Sequence, residues 1–345
     1  MGFWVAVFFR RKTLAFNLFQ RPIHSYCMNL LQKLLYNLPL PISGLMLAIA
    51  SLGILFPQFF GPVVPPYGLG FVLHAFCGVF AAVLWVLLVL KAVFFFPQIK
   101  EAGKNPILAS VAGTFPMTIM ALAVYALELF GEGAVLFWYA GVILHAVLIG
   151  YFSIRFLKHP RLSEVYPSWL VVYVGIVLAA ITAPYFNQIL AGQICFWFGL
   201  VLVIPLTAVL LVRCRKMPLA EPAKPLVCIF AAPVSIILAG YLQSFAADAA
   251  VVFSLLVLET VVLFLVLCRL PSLLRLPFYP SYAAFTFPFV VTATAYFFGV
   301  ELLVESGLFS AGWYAVPALV ILLALVLICY VSVRYAVFLR QAVNE

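Results

Sequence analysis

The chain has 345 residues, of which 67% are hydrophobic and 8% are charged, and its mean hydropathy is +1.22. No soluble core needs so much apolar surface, so the composition excludes a soluble globular protein. Apolar runs of about 20 residues recur along the chain, each long enough to cross a hydrocarbon layer of about 30 Å. Because the runs are continuous rather than alternating, they exclude a β-barrel and predict an all-α polytopic membrane protein.

Ten transmembrane helices are predicted, at 39–59, 68–92, 107–128, 134–155, 167–187, 190–212, 225–246, 248–269, 279–300 and 311–334. We number them spans 1 to 10. They form one transmembrane domain, 39–338, between a cytoplasmic N-terminal segment, 1–38, and a cytoplasmic C-terminal tail, 339–345. The N-terminal segment is predicted to lie as a basic amphipathic stretch on the inner leaflet. Met28 is an alternative start.

The basic residues test this topology. All 19 Lys and Arg fall before span 1, at or after the end of span 10, or at the ends of spans 2, 4, 6 and 8 and the connections that follow them. These six segments share one face, which the positive-inside bias makes cytoplasmic, with both termini inside. The net charge of +9 is then an orientation signal with some attraction to anionic lipid. Nucleic-acid binding is not implied, because the basic residues are divided among short segments.

The seven cysteines are scattered, form no CxxC pair and are joined by no histidine cluster. We interpret them as free thiols that pack as small apolar groups. Neither a disulfide, a metal site nor a cofactor is expected.

The odd spans differ from the even spans in their prolines and hydroxyl side chains. A proline inside a helix frees a backbone carbonyl one turn earlier, and in lipid that carbonyl needs a partner. We therefore expect five odd spans to form an inner ring around an axis, with the five even spans outside facing lipid. The alternative is that the prolines are packing kinks in a solid bundle. The candidate pore-lining and kink residues are Thr114, Pro116, Thr118, Pro233, Ser235, Thr286 and Pro288.

A short sequence motif occurs in two of the odd spans. The stretch "GTFPMT" at 113–118 in span 3 and "FTFPFV" at 285–290 in span 9 share Thr-Phe-Pro. The odd spans also begin at a spacing of roughly 55–70 residues, which indicates an internal repeat of helical hairpins. With 34 Phe and 23 Pro in the chain, chance can also produce such a motif.

Ionisable residues are missing from the interior of the odd spans, whereas coupled carriers usually place them at mid-membrane. This favours a passive anion pathway lined by Phe, Gly, Ser, Thr and main chain. His74, His145 and Glu259 lie within even spans. Each is either a proton relay or an inter-helix hydrogen-bonding group, and Glu259 must be protonated or partnered.

Five motifs together resemble the tellurite-resistance/dicarboxylate transporter family, which includes the plant guard-cell slow anion channels. They are "YPSW" opening span 5, "AEPAKP" before span 7, "AAPVSIILAGYL" within it, "RLP" after span 8 and "AFTFPF" in span 9. The resemblance covers roughly 39–338. It implies ten helices in five hairpins, quasi-fivefold around a pore lined by the odd spans, and a homotrimer.

The resemblance also implies a pore gate. In this family a phenylalanine of span 9 blocks the narrowest point of the pore, and the matching residue is Phe287, with Pro288 bending the helix behind it. Phe115 holds the same place in the span 3 motif and is the second candidate. The alternative for Phe287 is ordinary packing.

The expected function is an anion channel, or a channel-like transporter, of the inner or plasma membrane that passes small anions such as chloride or nitrate. The alternative is a proton-coupled carrier or exporter of dicarboxylate, sulfite or tellurite-type oxyanions, which would use His145 or Glu259. An enzyme is not expected, because the chain has no HExxH, no GxSxG and no paired intramembrane carboxylates. A structural scaffold would leave the difference between odd and even spans unexplained.

Overall fold

The computed structural model describes residues 29–61, 68–158 and 161–344. The predicted N-terminal segment falls largely on 1–28, including the alternative start at Met28, and that part lies outside the described residues. Among the residues that are described, every regular element is a helix, so the predicted all-α class is confirmed.

Helices occupy each of the predicted spans. In chain order they are Ile42–Phe60; Leu69–Phe94; Pro106–Val111 with Thr114–Phe130; Ala134–Phe152; Trp169–Tyr173 with Leu178–Thr182; Ile189–Lys216; Ala232–Ser244; Ala249–Leu274; Phe287–Glu305; and Ala315–Asn344. Over the described ranges, eight helices are long and apolar enough to cross a membrane; one of these, Pro106–Leu157, runs through predicted spans 3 and 4. Predicted span 5 is divided into short pieces.

The two described ends of the chain lie together. The last helix continues to Asn344, so the predicted tail from 339 is helical that far. A short helix, Leu30–Asn37, precedes span 1, and we call it the lead helix. Its Lys33 Nζ donates to the Val343 carbonyl at 3.2 Å, and its Asn37 Nδ2 donates to the Ala342 carbonyl at 3.0 Å. The lead helix therefore caps carbonyls that the last helix leaves free.

Four of the odd spans are interrupted, and in spans 7 and 9 the α-helix begins at or next to a proline. Spans 7 and 9 begin as 3-10 segments, Glu221–Ala231 and Pro280–Phe285, and become α-helical only afterwards. The even spans run as continuous helices, and span 4 ends in a π-helical turn, Ser153–Leu157. In spans 7 and 9 the missing N–H of Pro233 and Pro288 contributes to the break, because it removes a hydrogen bond from the backbone ladder.

The odd spans form a closed ring. Span 1 contacts span 3, span 3 contacts span 5, and the contacts continue through spans 7 and 9 back to span 1. Each even span packs outside against two neighbouring odd spans. Accordingly 72, 67 and 72% of the apolar stretches of spans 1, 7 and 9 are buried, against 28, 22, 28 and 39% for spans 2, 6, 8 and 10. The even spans therefore present the apolar outer surface that a bilayer requires.

Candidate functional site

Two cavities lie on the axis of the ring, and residues of all five odd spans line each of them. The proximal cavity lies near the N-terminal ends of the odd spans and occupies about 640 Å³, a volume that includes space open to solvent. The distal cavity lies near their C-terminal ends and occupies about 540 Å³, counted in the same way. The five odd spans therefore leave space between them on their common axis.

Phe287 lies between the two cavities. Among the described residues it is the one side chain that lines both, and it is only 8% exposed. It is the first residue of its helix, directly after the break at Thr286. The Thr286 hydroxyl holds this break, because it lies 2.6 Å from the Ala283 carbonyl and 3.3 Å from the Gly44 carbonyl of span 1. The break directs the Phe287 ring at the axis.

The proximal cavity is almost entirely apolar. Of the residues predicted to line a pore, Thr114, Pro233 and Pro288 do line it. The Thr114 hydroxyl is already hydrogen-bonded, to the Val111 carbonyl at 2.8 Å and to the Ser43 hydroxyl at 2.6 Å. The cavity therefore has few polar groups free to hold an ion tightly.

The other predicted lining residues lie between helices. Thr118 is fully buried and donates to the Thr114 carbonyl at 2.8 Å. Ser235 and Thr292 join spans 7 and 9 through their hydroxyls at 2.9 Å. Together with Pro116 and Thr286, the residues Thr118 and Ser235 are absent from the described linings of both cavities. These residues lie in the contacts between helices rather than on the surface that faces the cavities.

Phe115 turns away from the axis. Its ring stacks on Trp85 of span 2, with centroids 5.9 Å apart and planes at 15°, and it is not among the described lining residues. Phe115 therefore occupies a different position from Phe287, although the two residues match in the shared motif. We do not include Phe115 in the proposed gate.

The distal cavity is the polar one. Its polar side chains are Ser51, Gln58, Thr182, Tyr185, Gln243 and Thr294. Sequence reasoning overlooked the two glutamines, because it searched the spans for charges, prolines and hydroxyls. The available signal was that each glutamine lies near the C-terminal end of an odd span.

Glu259, His145 and His74, which are buried ionisable residues of the even spans, are hydrogen-bonded to the odd spans. Glu259 Oε1 accepts from the Thr292 hydroxyl at 3.1 Å, while Oε2 has no partner among the described residues. His145 Nε2 lies 2.8 Å from the Val172 carbonyl, and His74 Nδ1 lies 2.9 Å from the Gly53 carbonyl. None of the three is among the described lining residues of either cavity.

No group of three or more His, Cys, Asp and Glu within the described parts of the chain is arranged to hold a metal ion. The site consists of two axial cavities and the aromatic ring between them. This arrangement defines a helical integral membrane protein with two cavities on the axis of its odd spans.

A family model described as voltage-dependent anion channel (SLAC1) matches residues 37–334. The chain belongs to this family, the tellurite-resistance/dicarboxylate transporter class that its motifs indicated. It is therefore an integral membrane protein of a class of anion channels and transporters. A search of curated proteins finds no match.

Proposed function

We propose that the chain is an anion channel in which Phe287 closes a pore for small inorganic anions such as chloride or nitrate. The observation that carries the proposal is the position of Phe287, which alone among the described residues lines both axial cavities. A bulky apolar ring at a constriction excludes water, and a dry constriction stops ions. Removal of the Phe287 aromatic ring would join the two cavities.

The linings support passive movement of an anion. No Asp, Glu, Lys, Arg or His is among the described lining residues. Hydroxyl and amide donors can replace part of the water around an anion. The cationic side chains at the predicted cytoplasmic ends of the spans would raise the local anion concentration.

The contacts of Glu259 and His145 argue against the carrier alternative. A proton relay serving a substrate needs access to the substrate path. Both side chains are fully buried, and their contacts are with Thr292 and the Val172 carbonyl. The proposed role of these residues is to join the even spans to the ring.

The proposed setting is the cell inner or plasma membrane, with both termini in the cytoplasm and the proximal cavity open to that side. The proposed assembly is a homotrimer, as the family resemblance implies. Light scattering of the detergent-solubilised protein tests this assembly, and a monomer mass would contradict it.

The test compares wild type, Phe287→Ala and Phe115→Ala in planar bilayers with chloride as the charge carrier. We expect Phe287→Ala to raise the single-channel conductance by about tenfold, equivalent to a barrier lowered by about 1.4 kcal/mol. Phe115→Ala removes the same ring from the same motif but faces Trp85, so its conductance should equal that of wild type. Equal conductance in all three inserted proteins would overturn the proposal that Phe287 is the gate.

A further inference from the structure

The polar groups of the distal cavity are not all satisfied within the protein. The hydroxyl of Thr294 donates to the Val290 carbonyl at 3.0 Å, and that of Thr182 donates to the Leu178 carbonyl at 2.9 Å. These are the bonds that a hydroxyl on a helix usually makes to the carbonyl one turn earlier. Both hydroxyls are therefore engaged inside their own helices.

Ser51 does not follow this pattern. Its hydroxyl oxygen is shielded from solvent, yet it has no hydrogen-bond partner among the described residues. A buried polar atom without a partner costs free energy, and such an atom in a native structure needs an explanation. Ser51 lines the distal cavity, and rotation of its short side chain about χ1 would turn the unpartnered hydroxyl toward a molecule held there.

Other polar side chains line the same space. Gln243 of span 7 lines the cavity and forms no hydrogen bond with any residue that the structure describes. Gln58 of span 1 is exposed to the cavity and interacts with the Tyr185 hydroxyl of span 5. Three helices of the ring thus contribute O–H and N–H groups, one from each hydroxyl and two from each amide.

We propose that Ser51, Gln58, Tyr185 and Gln243 form an anion-binding site on the distal side of Phe287. Neutral donors can take the place of part of the hydration shell of a monovalent anion. No cationic side chain lies among the described lining residues of the cavity, so the anion is held weakly enough to leave. The site rests on the proposed function, because it would hold the permeating ion next to the closed gate.

The test uses bromide as the probe and the full-length protein. Bromide is located by anomalous diffraction in crystals, and its affinity in solution is measured from the rise in melting temperature during a bromide titration. We expect anomalous density in the distal cavity of wild type. In Ser51→Ala combined with Gln243→Leu, the density should be lost and the bromide dissociation constant should rise about tenfold or more.

Two further variants separate binding from packing. Thr294→Val removes a hydroxyl from the same cavity that is already engaged, so it should keep the wild-type bromide affinity. Ser51→Ala alone removes an unpaired buried hydroxyl, so without bromide it should melt no lower than wild type. A purely structural role for Ser51 predicts the opposite, a lower melting temperature with unchanged bromide affinity.

The outcomes distinguish the site from the channel. Anion current through Phe287→Ala together with no bromide in the distal cavity would overturn the site and leave the proposed function intact. Bromide bound there, with no current through wild type or Phe287→Ala, would support the site and overturn the proposed function. Equal bromide affinity in the double variant and wild type would overturn the site whatever the current.

Discussion

Replacing Thr292 with valine tests the polar connection behind the gate helix. The Thr292 hydroxyl lies 2.9 Å from the Ser235 hydroxyl, 3.1 Å from Glu259 Oε1 and 2.9 Å from the Pro288 carbonyl. It thus joins spans 7, 8 and 9 directly behind the proline that follows Phe287. Valine has nearly the same shape, so the change removes the hydroxyl without leaving a cavity.

The expected loss of stability has two parts. Hydrogen bonds between membrane helices contribute about 0.6 kcal/mol each, so loss of the bond to Ser235 costs about 0.6 kcal/mol. Glu259 Oε2 is already unpartnered, and loss of the Oε1 bond leaves a more poorly satisfied buried carboxyl, at about 1–3 kcal/mol. The free energy of unfolding should therefore fall by about 2–4 kcal/mol.

The assay is unfolding in mixed detergent micelles, followed by circular dichroism. Thr294→Val is the matched control, because its hydroxyl bonds only to the Val290 carbonyl of its own helix, and it should lose less than about 1 kcal/mol. Equal losses in the two variants would refute the reasoning. A double-mutant cycle of Thr292→Val and Ser235→Ala gives a second test. Residues in one network should couple by about 0.5–3 kcal/mol, so additive losses of unfolding free energy would also refute the reasoning.

Two further predictions concern other buried polar side chains. Lys91 Nζ donates to the Leu35 and Tyr36 carbonyls at 2.9 and 2.8 Å, so Lys91→Met should speed proteolytic cleavage of the lead helix. Lys104→Met, which breaks only an exposed pair, should leave cleavage unchanged, and equal rates in both variants would contradict the anchoring role. His145→Leu should lower the melting temperature, and the reversal potential should be insensitive to a pH gradient in both wild type and the variant. A reversal potential that follows pH in wild type but not in His145→Leu would show that His145 is a proton relay.

Much of the helical layout follows from the sequence, because runs of apolar residues mark the spans and prolines mark their breaks. The breaks around Pro233 and Pro288 were expected for this reason. The break at Gly175 was not, since no proline lies there. A Cβ at Gly175 would lie 2.7 Å from Met117 Sδ, so the contact between spans 3 and 5 sets the local packing. Such a contact between distant segments leaves no periodic signal.

The candidate site was partly predictable. The motif match identified Phe287, and the structure places it between the cavities. The repeat alone could not place Phe115, because its ring packs against Trp85 of span 2, a neighbour that the shared motif does not specify. Gln58 and Gln243 escaped prediction because a neutral amide in an apolar span carries no charge signal, and only the closed ring shows that both line one cavity.

The most direct measurement is the current through purified wild type and Phe287→Ala in planar bilayers, under a chloride gradient and then with an added pH gradient. The proposed mechanism predicts a larger mutant current that reverses near the chloride equilibrium potential and ignores the pH gradient. Mutant and wild-type currents of equal size would contradict the gate, and a reversal potential that follows pH would contradict the passive channel.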